Sequence, residues 1–177
     1  MAWTLRQPSI EAARALEPVV AAYADEAEAA RHLPDTLVDA FIDARLFQMS
    51  VPAELAGAEI DFVESMRVVE EVARADGSAG GNVMIGAGNG RYGALMAPEV
   101  AAEVYSDPRA VWCAAFPVGG RLEVTEGWYR LSGRWSYASG CSQRSWFFPG
   151  FLVSEGAHAR RPDDGRPVRP IRLPPAH

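Results

Sequence analysis

The sequence holds few cysteines and histidines for nucleophilic or acid–base chemistry. Two cysteines (Cys113, Cys141) and three histidines (His32, His158, His177) are scattered over 177 residues. Neither cysteine lies in a CxxC pair, and that spacing assembles no tetrahedral metal set. Ser139, Ser142 and Ser145 lie close together, but no His–Asp set accompanies them, which argues against a nucleophilic serine. Glu70 and Glu71 are adjacent, as are Asp163 and Asp164. Helical neighbours point about 100° apart, so Glu70 and Glu71 cannot share a substrate proton and read as a solvated face. All seventeen basic residues are Arg. Without lysine, a Walker-type phosphate loop and Schiff-base chemistry are both excluded.

Two stretches have more to offer. GAGNG at 86–90 invites comparison with a dinucleotide loop. That loop needs a strand directly before it and a helix directly after, whereas here the flanks read as helical. The stretch therefore reads as a glycine-lined helix or loop approached closely by a neighbour. Asn82, Asn89 and Arg91 around it are the candidates for contact with a small-molecule substrate, against the plainer reading of each as a polar group satisfied within the fold. The second stretch, GRWSYASGC at 133–141, alternates bulky and small residues and is followed by SQRSWFFPGFLV. With Trp112, Trp128, Tyr129, Trp146, Phe147 and Phe148 it forms a dense aromatic set. A β core with a hairpin surface accounts for most of these rings. Aromatic faces also make walls for a flat cofactor.

The elements that would position these residues fall into two groups. Up to about residue 107 the pattern is helical. Ile10, Ala13, Leu16, Val20 and Tyr23 follow helical spacing, and Pro18 marks a kink or the first turn of a second segment. TLVDAFIDARLF places Leu37, Phe41 and Ile42 on one stripe, and VPAELAGAE reads as a loop. Asp61 and Glu64 form a capping box that opens a helix with Phe62, Met66, Val69, Val72 and Ala73 on one side. The glycines of GSAGGNVMIGAGNGRYGALM cost ~1 kcal/mol each in a helix interior, so a helix there would serve close approach. Pro98 starts a short closing helix. From residue 108 to about 155 the period is two. AVWCAAF, RLEVTE, WYRLSG, RWSYASG and SWFFPGFLV read as antiparallel strands, with a hairpin turn at Glu126–Gly127. Residues 156–177, with five Pro and five Arg, read as a disordered tail. A natural tail and GC-rich DNA read in a shifted frame both remain open.

The net charge of −6 and a pI near 5.1 argue against a nucleic-acid surface. No apolar run reaches membrane-spanning length, and the first twenty residues lack a signal layout. A cytoplasmic protein with reduced thiols is expected.

The order of these motifs resembles the acyl-CoA dehydrogenase superfamily. A helical region leads through VPAELAGAE to a capped helix ending ARADGSAGG, then to strands carrying GWYRLSGRWSYASGCSQRSWFF. The second half is similar to the flavin-dependent monooxygenase branch, and the similarity covers about residues 10–153. The resemblance implies an N-terminal all-α domain followed by part of an antiparallel β-barrel-like domain, an α+β fold. It implies FAD or FMN as cofactor, with Tyr137 packing on the flavin ring and Ser139 hydrogen-bonding its central nitrogen edge. The first strand, Trp112, Cys113, Ala114, Ala115, Phe116 and Pro117, would face the pyrimidine edge with its backbone. The dehydrogenase pattern has Thr-Glu where this chain has Ala115-Phe116, which favours the monooxygenase branch. The reaction implied is acyl-CoA desaturation or oxygenation of a small organic substrate with reduced flavin delivered by a reductase. The family's C-terminal helical bundle, which carries the catalytic base and an oligomer interface, is expected to be absent. A homo-oligomer or a separate chain carrying that half would complete the fold; a non-catalytic remnant or interaction subunit is the alternative.

Overall fold

The computed structural model describes residues 8–126, 128–142, 145–155 and 158–159. Helix α1 (Ile10–Ala15) is capped by Ser9, whose hydroxyl accepts from the Ala12 amide at 3.1 Å. Leu16 separates it from α2 (Glu17–Ala30), with Pro18 in the first turn of α2, where its missing N–H costs nothing. Helix α3 (Asp35–Asp43) buries Leu37, Val38 and Phe41. Asp61 caps α4 (Phe62–Ala75), accepting from Val63 N at 2.8 Å and Glu64 N at 3.3 Å. The buried stripe of α4 is Ser65, Val68, Val69 and Val72. Phe62 and Ala73, expected on the buried side, are exposed, because the face is rotated toward Val68.

Asp76 caps α5 (Gly77–Asn89), its carboxylate accepting from the Ala79 amide at 2.6 Å. The glycines of this helix divide between two faces. A Cβ at Gly80 would lie 2.5 Å from that of Ala73 on α4, and one at Gly86 would lie 2.5 Å from the Phe47 ring. Gly77, Gly81 and Gly88 have open space around them. So α5 is a glycine-lined helix, as the sequence pattern anticipates, but only Gly80 and Gly86 are closely approached, each by a different neighbour. A six-residue 3₁₀ turn (Gly90–Leu95) leads to α6 (Pro98–Val104). The helical core gathers Val20, Phe41, Leu46, Phe47, Met49, Val68, Val72 and Val83, all buried. Fully burying side chains of this kind contributes roughly 1.5–3 kcal/mol each.

The rest of the described chain is a sheet in the order β2-β1-β3-β4. Strand β1 (Trp112–Thr125) joins in one element the two strands expected at AVWCAAF and RLEVTE. Its ladder to β3 (Trp146–Glu155) shifts register between Ala115 and Val118 and again between Val118 and Gly120. Pro117 falls in this irregularity and Pro149 pairs at its border, the positions a sheet allows proline. Strand β2 (Trp128–Gly133) pairs antiparallel with β1, with Thr125 opposite Trp128, as the expected hairpin requires. Two expectations are corrected. The sheet is mixed, since β1 and β3 run parallel from Trp112↔Trp146 onward. RWSYASG is also not a strand, because β2 ends at Gly133. Past that point β1 kinks at its register shifts and offers no straight ladder. The segment at 134–142 instead carries the chain back to the start of β1, the crossover that parallel pairing demands. Strand β4 (His158–Ala159) pairs antiparallel with the end of β3. The remainder of the Arg/Pro-rich stretch lies outside the described residues.

Candidate flavin-binding site

Strand β1 has two faces. Trp112 faces the helices, stacked between Tyr105 (5.6 Å between centroids) and Trp146 (5.9 Å). Tyr105 donates to the Gly90 carbonyl at 2.9 Å, and burial pushes its hydroxyl pKa above the ordinary range. Cys113 and Ala115 form a separate cluster with Phe147, against which Trp135 and Ala138 pack. Ala138, flanked by Tyr137 and Ser139, thus packs on the cluster that holds Cys113 and Ala115 of β1. Strand β2 pairs with β1 only from Gly120 onward. Among the described residues, no strand lies on that side of β1 between Ala114 and Val118. An unpaired strand edge presents backbone donors and acceptors in a row.

The segment at 134–142 is fixed at both ends. Arg134 N donates to Gly119 O at 3.0 Å, and the Trp135 indole donates to Gly150 O at 2.7 Å. At the far end Cys141 N donates to Ala138 O at 3.0 Å, and Ser145 N to Val111 O at 2.8 Å. Between these ties Tyr137 has φ 58° and is 93% exposed. The left-handed region is unusual for a bulky residue, and such strain concentrates where surrounding structure and function demand it. Ser139 is exposed beside it.

The other expected site residues are placed as follows. Trp112 is 2% exposed, so its side chain belongs to the core and only its backbone could face a ligand. Its Nε1 has no acceptor. Trp112, Val111, Phe47, Asn82 and Gly140 line a crevice of about 10 Å³ between the helices and the loop. That is room for roughly one water molecule. Asn82 donates to Ser78 O at 2.9 Å within α5. Asn89, seven residues on and on the same helical face, is 4% exposed with Nδ2 unpartnered. Arg91 turns away: its Nε donates to Gly88 O at 3.1 Å and its guanidinium lies over the Phe62 ring at 5.9 Å. Of the substrate candidates, Asn82 alone lines the crevice with Trp112 and Gly140.

Three features escape a reading of residue types. Trp135 anchors the loop, Tyr137 adopts its left-handed backbone, and Phe116 and Val118 stand exposed within the β1 irregularity. The adjacent Gly119-Gly120 inside a strand pattern is the one sequence signal for the first, since such glycines mark close approach.

The acyl-CoA dehydrogenase N-terminal domain family matches residues 7–97, half of the chain. The chain belongs to this family. Over most of its length it is similar to flavin-dependent oxygenases. It is 30% identical over 156 residues to the flavin-dependent monooxygenase oxygenase subunit HsaA of Rhodococcus jostii, covering 87% of this chain and 38% of the relative. It is 28% identical over 154 residues to the oxygenase component of FADH(2)-dependent resorcinol hydroxylase from a Rhizobium species, covering 86% of this chain and 36% of that protein. Among solved structures, XiaF from Streptomyces in complex with FADH2 and glycerol superposes with a TM-score of 0.79 at 26% identity, over 90% of this chain and 39% of that one. The chain thus spans about two fifths of the length of the relatives it matches. The fold is that of the acyl-CoA dehydrogenase-like oxygenases, with less than half of it present here.

Proposed function

We propose that this chain is the flavin-contacting N-terminal part of a flavin-dependent monooxygenase acting on a small organic substrate. Tyr137 carries the reading: an aromatic ring held exposed on a left-handed backbone, next to Ala138, which packs on the cluster of Cys113, Ala115 and Phe147. The residues fit a planar heterocycle. The Tyr137 ring offers a stacking surface, the Ser139 hydroxyl a donor, and the backbone of Ala114 and Ala115 an edge for hydrogen bonds. When bound, the reduced flavin supplies the oxygen-activating chemistry, and the chain orients it. Ala115-Phe116 in place of Thr-Glu and the oxygenase relatives support oxygenation over acyl-CoA desaturation. FAD is favoured over FMN by the relatives that carry FADH2 in their descriptions. Asn82 shares the lining of the crevice with Gly140, which supports assigning to it a substrate contact from the helical side. The reading assigns residues 1–107 to a helical domain and 108–155 to a β domain, in a cytoplasmic oligomer supplied with reduced flavin by a reductase.

Titration of the chain with FAD and with FMN tests this. Quenched flavin fluorescence and shifted visible bands are expected. A folded chain that changes neither flavin's spectrum refutes flavin binding by this chain alone. A second reading, an interaction subunit that binds flavin only with a separate C-terminal partner, is favoured by the exposed Phe116, Val118 and Leu152 on the sheet. Flavin binding that appears only after such a partner is added supports it.

A further inference from the structure

Trp135 occupies an unusual seat. Its indole lies on a floor of glycines: a Cβ at Gly119 would sit 2.7 Å from the ring's Cδ1, and one at Gly133 would sit 2.8 Å from Cη2. At Gly120 a Cβ would collide with Cζ2. The ring meets Phe147 edge-on, 5.5 Å between centroids at 82°. Its N–H reaches across to the Gly150 carbonyl on β3 at 2.7 Å. Strand β1 lies between β2 and β3, so this one side chain ties the end of β2 to β3 over the middle strand. Two residues later Tyr137 holds φ 58° with its own ring in solvent, so that ring contributes no packing to fix the backbone.

We infer that Trp135 is a positioning residue, a latch that fixes the backbone at 136–140 and thereby presents Tyr137 and Ser139. The inference rests on the flavin reading for its purpose, but the latch itself is a property of the loop. Trp135 touches no ligand in this role. It acts through the backbone that follows it. Glycine at 119, 120 and 133 makes the seat, and the Gly150 carbonyl supplies the acceptor that fixes the ring's rotation.

Two variants of the full chain test it. Trp135→Phe keeps an aromatic ring but removes the donor to Gly150. Gly120→Ala leaves Trp135 intact and displaces it from below. The readouts are amide hydrogen exchange along the chain, thermal melting, and titration with FAD and FMN. Both variants are expected to melt cooperatively. Exchange across 136–141 rises about fivefold to tenfold, the loss of one hydrogen bond, while the β1–β2 ladder amides from Leu122 to Leu131, away from the Ser132 carbonyl that a methyl at residue 120 also meets, keep their wild-type rates. Flavin dissociation constants rise by a similar factor, and the bound flavin's visible bands move toward those of free flavin. Unchanged exchange at 136–141 in both variants overturns the latch. So does a uniform increase across the sheet or loss of folding in both, because Trp135 would then be an ordinary core residue. A loosened loop with unaltered flavin affinity overturns its positioning role. If the wild-type chain itself leaves both flavins unchanged, the flavin reading fails separately, and the exchange data still decide the latch.

Discussion

Replacing Tyr137 with Asn should make the protein more stable and worse at holding flavin. The left-handed backbone costs an L-residue about 1–2 kcal/mol, and Asn tolerates that region far better than an aromatic residue. The ring is 93% exposed, so removing it uncovers no core. Relief of about half the strain leaves a gain of roughly 0.5–1 kcal/mol. In a chain of this size that raises Tm by about 1–4 °C. Against this stands the lost stacking surface. An aromatic platform under a flat heterocycle contributes ~1–3 kcal/mol, by analogy with nucleobases. Flavin affinity should therefore fall about fivefold to 150-fold. Differential scanning calorimetry and flavin fluorescence titration read the two effects on one sample. Tyr137→Phe keeps both ring and backbone and should leave both quantities near wild type. A Tyr137→Asn protein that melts lower than wild type refutes the strain argument. One that binds FAD and FMN as tightly as wild type refutes the platform.

Other outcomes follow from the helices. Gly81→Ala and Gly88→Ala fall where a methyl meets nothing, so each should stabilise by up to ~1 kcal/mol through helix propensity. Gly80→Ala drives a methyl into the Ala73 backbone and should destabilise by ~1–3 kcal/mol, so denaturant midpoints should move in opposite directions. Asp76→Ala removes the acceptor for the Ala79 amide and should cost ~1 kcal/mol by urea melt, with Asp76→Asn largely restoring it. Arg14 donates to Glu71 at 2.8 Å and holds that carboxyl below its usual 4.5. The pair's contribution is thus complete above pH 4.5 and is lost as pH falls through the lowered folded value. Acid titration of Tm should show a shallower fall for Glu71→Gln than for wild type.

The helical half was readable because its signals are local. Pro18, the Asp61 cap and the three–four spacing of Ala13, Leu16 and Val20 each act within a few residues. The buried face of α4 was read a step off, since Phe62 and Val68 are equally apolar and only the packing partner decides between them. The sheet was less legible for a physical reason. Alternation in RWSYASG matches strand periodicity, but whether a strand forms depends on a neighbour with a straight edge. Gly119, Gly120 and the displaced register at Val118 remove that edge, and those residues lie fifteen or so positions away. Parallel pairing of β1 with β3 is likewise a long-range outcome with no local mark. In the candidate site, Tyr137 and Ser139 were named through resemblance. That the residue between them, Ala138, packs on the Cys113–Ala115–Phe147 cluster is visible only in the structure.

Strand β1 reaches into both halves of the molecule. Its first residues share aromatic stacking with Tyr105 after α6, Val111 belongs to the helical core, and Gly120 onward carries the hairpin. No seam therefore separates a melting unit of helices from one of strands, even though the architecture changes at that boundary. Heat should dissolve both in one transition, with far-ultraviolet dichroism and tryptophan emission tracing the same curve.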